Sequence, residues 1–282
     1  RLDINGFRSI RMVEVAERAV EAAWKIKKLE DYDRRLMRAA RRVDDLATEH
    51  DTAALVIYES ALMKSGHPFD EVQALIAAFR ETFEDEEESF TIPRVSGIMN
   101  VHGEEWFFGD ASLRRMTGQL LGQFQHRVAQ YSYIDEKEVL KRWANSYDTR
   151  LFIRRGIYET EPVAGVVAGF DLTLLQYLRV AGGGDTLIPN EAVAKALESL
   201  DFPDTNDEYG TLAAAENLAL HLDLPAPITG ALLEDLARDD FTDYPERPSD
   251  DTGNEEDSGS EVSEESKETE ANDSSTSGSD SG

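Results

Sequence analysis

The sequence predicts an all-α protein: a multi-helix globular fold of nine or ten helices, with one candidate β-hairpin near residues 90–108 and a disordered acidic C-terminal tail. Three observations carry this expectation. Apolar residues recur at helical spacing along most of the chain as far as Tyr244. Short polar residues or proline precede these stretches, and glycine often follows them. At Glu246 the composition changes abruptly, and the large apolar residues all but disappear.

The elements follow in order. A long helix is expected from about Ser9 to His50, with a break near Asp31–Asp33; Met12, Ala16, Ala19, Val20, Ala23 and Trp24 form one apolar face, and Leu36, Ala40, Val43 and Ala47 another. Asp51 reads as the cap of a second helix through Leu55, Tyr58 and Leu62 that stops at Gly66. Pro68 opens a third, with Val72, Leu75, Ile76 and Phe79 facing inward. Between Phe90 and Phe108 the periodicity changes, and Ile92, Val95, Ile98 and Val101, then Trp106, Phe107 and Phe108, are divided by His102-Gly103, which is read as the hairpin. Asp110 caps a long helix through Tyr131, and Asp135-x-x-Glu138 has capping-box spacing before Val139, Leu140 and Trp143. A short helix ending at Gly156, a hairpin, and an apolar run from Pro162 to Val180 come next. Gly182-Gly183-Gly184 breaks the chain, Pro189 or Asn190 restarts it, and helices around Thr211–Leu222 and Ile228–Arg238 close the globular part. Three regions result: an N-terminal helical region over 1–89, a helical domain over 90–245, and the tail over 246–282.

Charge narrows the function classes. The 282 residues hold 57 Asp and Glu against 29 Lys and Arg, a net charge of −28. The tail contributes thirteen acids and two bases, whereas residues 1–42 carry twelve bases and seven acids. Lysine is scarce, at eight against 21 arginines. An acidic, lysine-poor chain suits a cell that keeps molar salt, where carboxylates hold hydrated cations and salt screens their repulsion beyond ~3 Å at 1 M. With no cysteine, disulfides, cysteine-ligated zinc and thiol nucleophiles are excluded. The five histidines, at 50, 67, 102, 126 and 221, form no close pair, so they read as surface or capping residues and no metal is expected. No apolar run approaches the ~20 residues of a membrane span, and no signal-like segment opens the chain. A cytoplasmic protein with no membrane association and no cofactor is expected.

Arg34, Arg35, Arg38, Arg41 and Arg42 fall on one side of a helix. They form either a stripe that tracks nucleic-acid phosphates or a set of partners for the chain's own surplus carboxylates. Gly182-Gly183-Gly184-Asp185 lacks the G-K-[ST] ending of a phosphate loop.

One constellation stands above this background. Ile153-Arg154-Arg155-Gly156-Ile157-Tyr158, the turn Glu159-Thr160-Glu161 and Pro162-Val163-Ala164 lead into a helix through Phe170; Asp185 to Asn190, Ala215-Glu216-Asn217 and Leu224-Pro225-Ala226-Pro227 follow. In order and content this segment, about Trp143 to Ala237, resembles the helix-hairpin-helix DNA glycosylase superfamily of base-excision repair. The resemblance implies a DNA-associated protein, either a monofunctional DNA N-glycosylase or an inactive relative. It places the DNA backbone at Glu159, Thr160, Glu161, Pro162 and Val163, and a catalytic aspartate at Asp185, or at Asn190 as a degenerate position. The chain departs from the family pattern at Glu159-Thr160-Glu161, where the family has Gly-x-Gly and two carboxylates would repel a phosphate. It departs again near Val163, where bifunctional members carry a lysine, so lyase chemistry is not expected. The alternative is a non-enzymatic acidic helical interaction protein adapted to high salt, with a basic protein as the tail's partner.

Overall fold

Eleven α-helices and two 3-10 turns, with no strand among the described residues, make up the computed structural model. It describes residues 4–85, 88–131, 134–146, 161, 163, 165–202 and 205–247, with side chains from residue 15 onward. The helices are α1 (Ile4–Lys27), α2 (Tyr32–Thr48), α3 (Ala53–Leu62), α4 (Phe69–Phe83), α5 (Ile92–Val101) and α6 (Ala111–Gln130). They continue with α7 (Glu136–Ala144), α8 (Leu172–Ala181), α9 (Glu191–Ser199), α10 (Glu208–Leu222) and α11 (Ala226–Arg238). The all-α expectation holds, with more helices than the nine or ten anticipated. Arg1–Arg247 form one compact unit and Pro248–Gly282 a second. The expected tail lies outside the described residues beyond Arg247, as do the helix ending at Gly156 and most of the glycosylase-like hairpin.

Local chemistry explains most boundaries. The anticipated break in the first long helix falls after Lys27, and Asp31 turns both carboxylate oxygens onto Arg34 and Arg35 as α2 begins. Asp110, Asp135, Asp171, Asn190 and Asp207 each accept a hydrogen bond from a first-turn amide of α6, α7, α8, α9 and α10 respectively. Gly66, at φ 73°, closes the 3-10 turn Met63–Ser65 that extends α3, and Pro68 precedes α4. α3 begins one residue later than expected, after Thr52 rather than Asp51.

The candidate β-hairpin at 90–108 is replaced by α5 and the 3-10 turn Glu104–Phe107. The spacing of Ile92, Val95, Ile98 and Val101 is three residues, a helical period and not the period of two that a strand requires. Thr91 accepts the Arg94 amide as a cap, and Pro93 sits in the first turn, where its missing N–H costs nothing. Ile92, Val95 and Met99 are buried as α5 packs on α6.

α3 occupies the centre. Every one of its ten residues is buried, and it packs against α4, α5, α6, α7 and α8. A helix apolar on all sides needs such surroundings. Around it Tyr58, Phe79, Phe83, Trp106 and Phe107 form a tilted and edge-on aromatic cluster. Phe107 and Trp106 therefore serve the core, and the Tyr58 hydroxyl donates to the Trp106 carbonyl. At the other end of the unit, α1 packs on α10 and α2 on α11, so the first two helices cover the last two.

Candidate functional site

The α2 arginines meet acids almost two hundred positions away. α11 presents Glu234 and Asp235, with Asp239 just beyond its end, along the side that faces α2. Arg35, 5% exposed, donates through Nη1 to Asp235 at 3.1 Å and Asp239 at 2.8 Å, and through Nε to Asp31 at 3.0 Å. Arg38 reaches the same Asp235 oxygen at 2.7 Å. Arg42 reaches Glu234 at 2.5 Å and the Ala231 carbonyl at 3.4 Å, and Arg34 bonds Asp31 at 2.8 Å. Arg41 is exposed, and no carboxylate lies within ion-pair distance of it among the described residues. Of the two roles open to these arginines, pairing with the chain's own carboxylates is the one occupied by Arg34, Arg35, Arg38 and Arg42.

The glycosylase-like positions separate. Glu161 is buried and accepts hydrogen bonds from Trp143 Nε1 at 3.2 Å and from the amides of Val163 and Gly165 at 3.1 and 3.0 Å; Val163 is buried beside it. Its carboxylate thus holds the turn onto α7. Glu159, Thr160 and Pro162 lie outside the described residues. Asp185 is exposed, and its Oδ1 accepts the Ala226 amide at the start of α11 at 3.1 Å. Asn190 caps α9 through Oδ1 and donates through Nδ2 to Glu234 at 2.6 Å. The glycine triplet ends α8: Gly183 has φ 81°, and the Gly184 amide returns to the Arg179 carbonyl.

Glu234 joins Arg42 to Asn190, and both line a cleft of about 510 Å³ between α2, α8, α11 and the segment 187–190. Asp185 is not on its wall. Val43, Leu46, Leu174, Val180, Leu187 and Ile188 supply apolar surface, Asp45 and Glu49 supply carboxylates, and Tyr177 also lines it. This volume falls in the range of small-molecule sites. The Gly230 backbone comes so close to the cleft's Leu187 that a Cβ there would lie 2.9 Å from the Leu187 Cβ.

Behind Tyr177 lies a buried polar cluster that sequence inspection missed. Glu59, 1% exposed on α3, accepts from Gln73 Nε2 at 2.5 Å and from the Tyr177 hydroxyl, and meets His50 Nε2 at 2.6 Å. His50 is buried, which corrects the expectation of surface or capping histidines at this position. Burial first, and then the nearby charges of Glu59, Glu49 and Glu234, push the Tyr177 hydroxyl well above the usual tyrosine range. The available signal was a lone glutamate inside an apolar helix, which must find partners when buried.

Among the described residues, no group of three or more His, Cys, Asp or Glu side chains could hold a metal ion. The buried hydroxyls of Ser60 and Thr117 bond carbonyls of their own helices. No helix of the described residues is long and apolar enough to cross a membrane. Among the described residues, fold and site define a helical protein with an arginine–carboxylate ladder between α2 and α11 and a largely apolar cleft beside it. No family model, curated protein or solved structure matches the chain.

Proposed function

We propose that this protein is a non-enzymatic, acidic helical interaction protein adapted to high salt. The α2–α11 ladder carries this reading: Arg35, Arg38 and Arg42 pair with acids on or just beyond α11 and Arg34 with Asp31, in a chain with 57 acids against 29 bases, so the surface is net acidic. Such a surface favours a cationic partner and disfavours a polyphosphate. The tail, with thirteen acids and two bases, extends the same charge.

The helix-hairpin-helix reading, a DNA-associated protein with or without N-glycosylase activity, retains one supporting observation. Asn190, one of the two candidate catalytic positions, shares the cleft with Arg42. Fluorescence anisotropy at about 0.15 and 1 M salt separates the two. A basic polypeptide should bind, more weakly at the higher salt, while abasic and intact duplexes should show equal and negligible affinity. Selective binding of the abasic duplex, or base release lost in Asp185→Asn, would establish the DNA reading in its place. Removing residues 248–282 should leave the melting temperature unchanged and weaken only the polypeptide.

A further inference from the structure

The cleft has a polar character that its apolar walls conceal. Its donors are partly committed to the protein's own acceptors. Arg42 gives Nη2 to Glu234 and Nη1 to the Ala231 carbonyl, and Asn190 gives Nδ2 to Glu234. The Tyr177 hydroxyl proton goes to Glu59, and the Thr173 hydroxyl is turned to the Pro189 carbonyl. The carboxylates of Asp45 and Glu49 on the lining are exposed, and neither has a cation within ion-pair distance among the described residues.

Charge points the same way. The lining holds three carboxylates, Asp45, Glu49 and Glu234, against the single guanidinium of Arg42. An anion would meet a net negative wall, with the Arg42 guanidinium already held by Glu234. A neutral apolar molecule would fill the volume but leave the acceptors without partners. A cation bearing N–H groups and an apolar body satisfies both halves of the lining.

We infer that the cleft between α2, α8 and α11 is a binding site for a small amphipathic primary amine, whose hydrocarbon body lies against Leu46, Leu174, Leu187 and Ile188 and whose ammonium faces Asp45 and Glu49. The proposal does not depend on the interaction reading above.

Isothermal titration calorimetry on the full chain at about 0.1 M salt tests it with four probes: n-octylamine, n-octanol, n-octanoate and n-propylamine. Octylamine should bind saturably at one site, about tenfold more tightly than octanol. Octanoate should not bind. Propylamine carries the charge without the body and should be far weaker than octylamine, which separates the cleft from diffuse attraction to an acidic surface. Glu49→Gln, at an exposed position that should not disturb folding, should weaken octylamine about two- to fivefold and leave octanol unchanged. Ile188→Trp, at a half-buried position, should fill the cleft and abolish octylamine binding. Glu104→Gln, remote from the cleft, should change nothing. Equal affinities for octylamine and octanol, tighter binding of octanoate, or no effect of Glu49→Gln would each overturn the assignment. So would absence of saturable octylamine binding, whatever the outcome with basic polypeptide or DNA.

Discussion

Replacing Arg35 with methionine tests the ladder that joins the two ends of the compact unit. The substitution keeps much of the apolar stem and removes three charge-assisted hydrogen bonds, to Asp31, Asp235 and Asp239. These differ in weight. The side chains of Asp31 and Asp239 are 26% and 44% exposed, so solvent screens them and each pair contributes about 0–1 kcal/mol. Asp235 is only 6% exposed, and a buried ion stripped of one partner costs about 3–5 kcal/mol. Arg38 still reaches Asp235 at 2.7 Å, which places the cost near the lower end of that range. The guanidinium also lies 5.0 Å from the centre of the Phe241 ring, which adds about 0.5–1 kcal/mol. A total of about 3.5–6 kcal/mol is expected. For a unit of this size that lowers Tm by roughly 7–24 °C. Urea denaturation followed by far-UV circular dichroism should show a lower midpoint at unchanged slope. Most of the loss should persist at about 1 M salt, because buried charges are poorly screened. Asp235→Leu added to Arg35→Met should recover part of it, since an apolar pair leaves less charge stranded. A cost below about 1 kcal/mol, or one that vanishes in salt, would refute the view that a buried ion pair holds α2 on α11.

Three further outcomes follow from the same geometry. Glu161→Ala leaves Trp143 Nε1, the buried Val163 amide and the half-buried Gly165 amide without their acceptor and should cost about 3 kcal/mol in chemical denaturation, whereas a carboxylate serving only as a surface contact would cost almost nothing. Gly230→Ala drives a methyl group against Leu187 and should destabilise by about 1–3 kcal/mol; an unchanged Tm would mean that α11 and the 187–190 segment separate freely. The Arg34 hydrogen bond holds the Asp31 carboxyl below the usual carboxylate range. Its contribution is therefore present above about pH 4 and lost as pH falls through the lowered folded value. Asp31→Asn should flatten the acid side of the stability–pH curve, and an unaltered acid limb in urea titrations would count against that pairing.

The local pattern made the helices legible. Asp110, Asp135 and Asn190 were readable as caps because a cap bonds an amide only two or three residues ahead. Gly66 and Pro68 likewise act on the dihedrals of their own neighbourhood. The segment 92–101 misled because a change of periodicity and the dividing His102-Gly103 suggested a hairpin, while the spacing of three was already helical. Of the candidate site, Arg42 and Asn190 came from the sequence. Glu234, which joins them, did not, because in a chain so rich in acids no carboxylate stands out by type.

Sequence alone determined the helical character, the positions of most breaks and the uneven charge, since these depend on residues within one or two turns of each other. Tertiary structure alone decided what the charges do. It set Arg35 beside Asp235, buried Glu59 among His50, Gln73 and Tyr177, and turned Glu161 onto Trp143. The physical reason is that the energy of a charge depends on its burial and on which opposite charge lies within a few ångströms, and residues far apart in sequence supply both. The arginine stripe on α2 was legible from its spacing; its partners on α11 became visible only once the two helices were packed together.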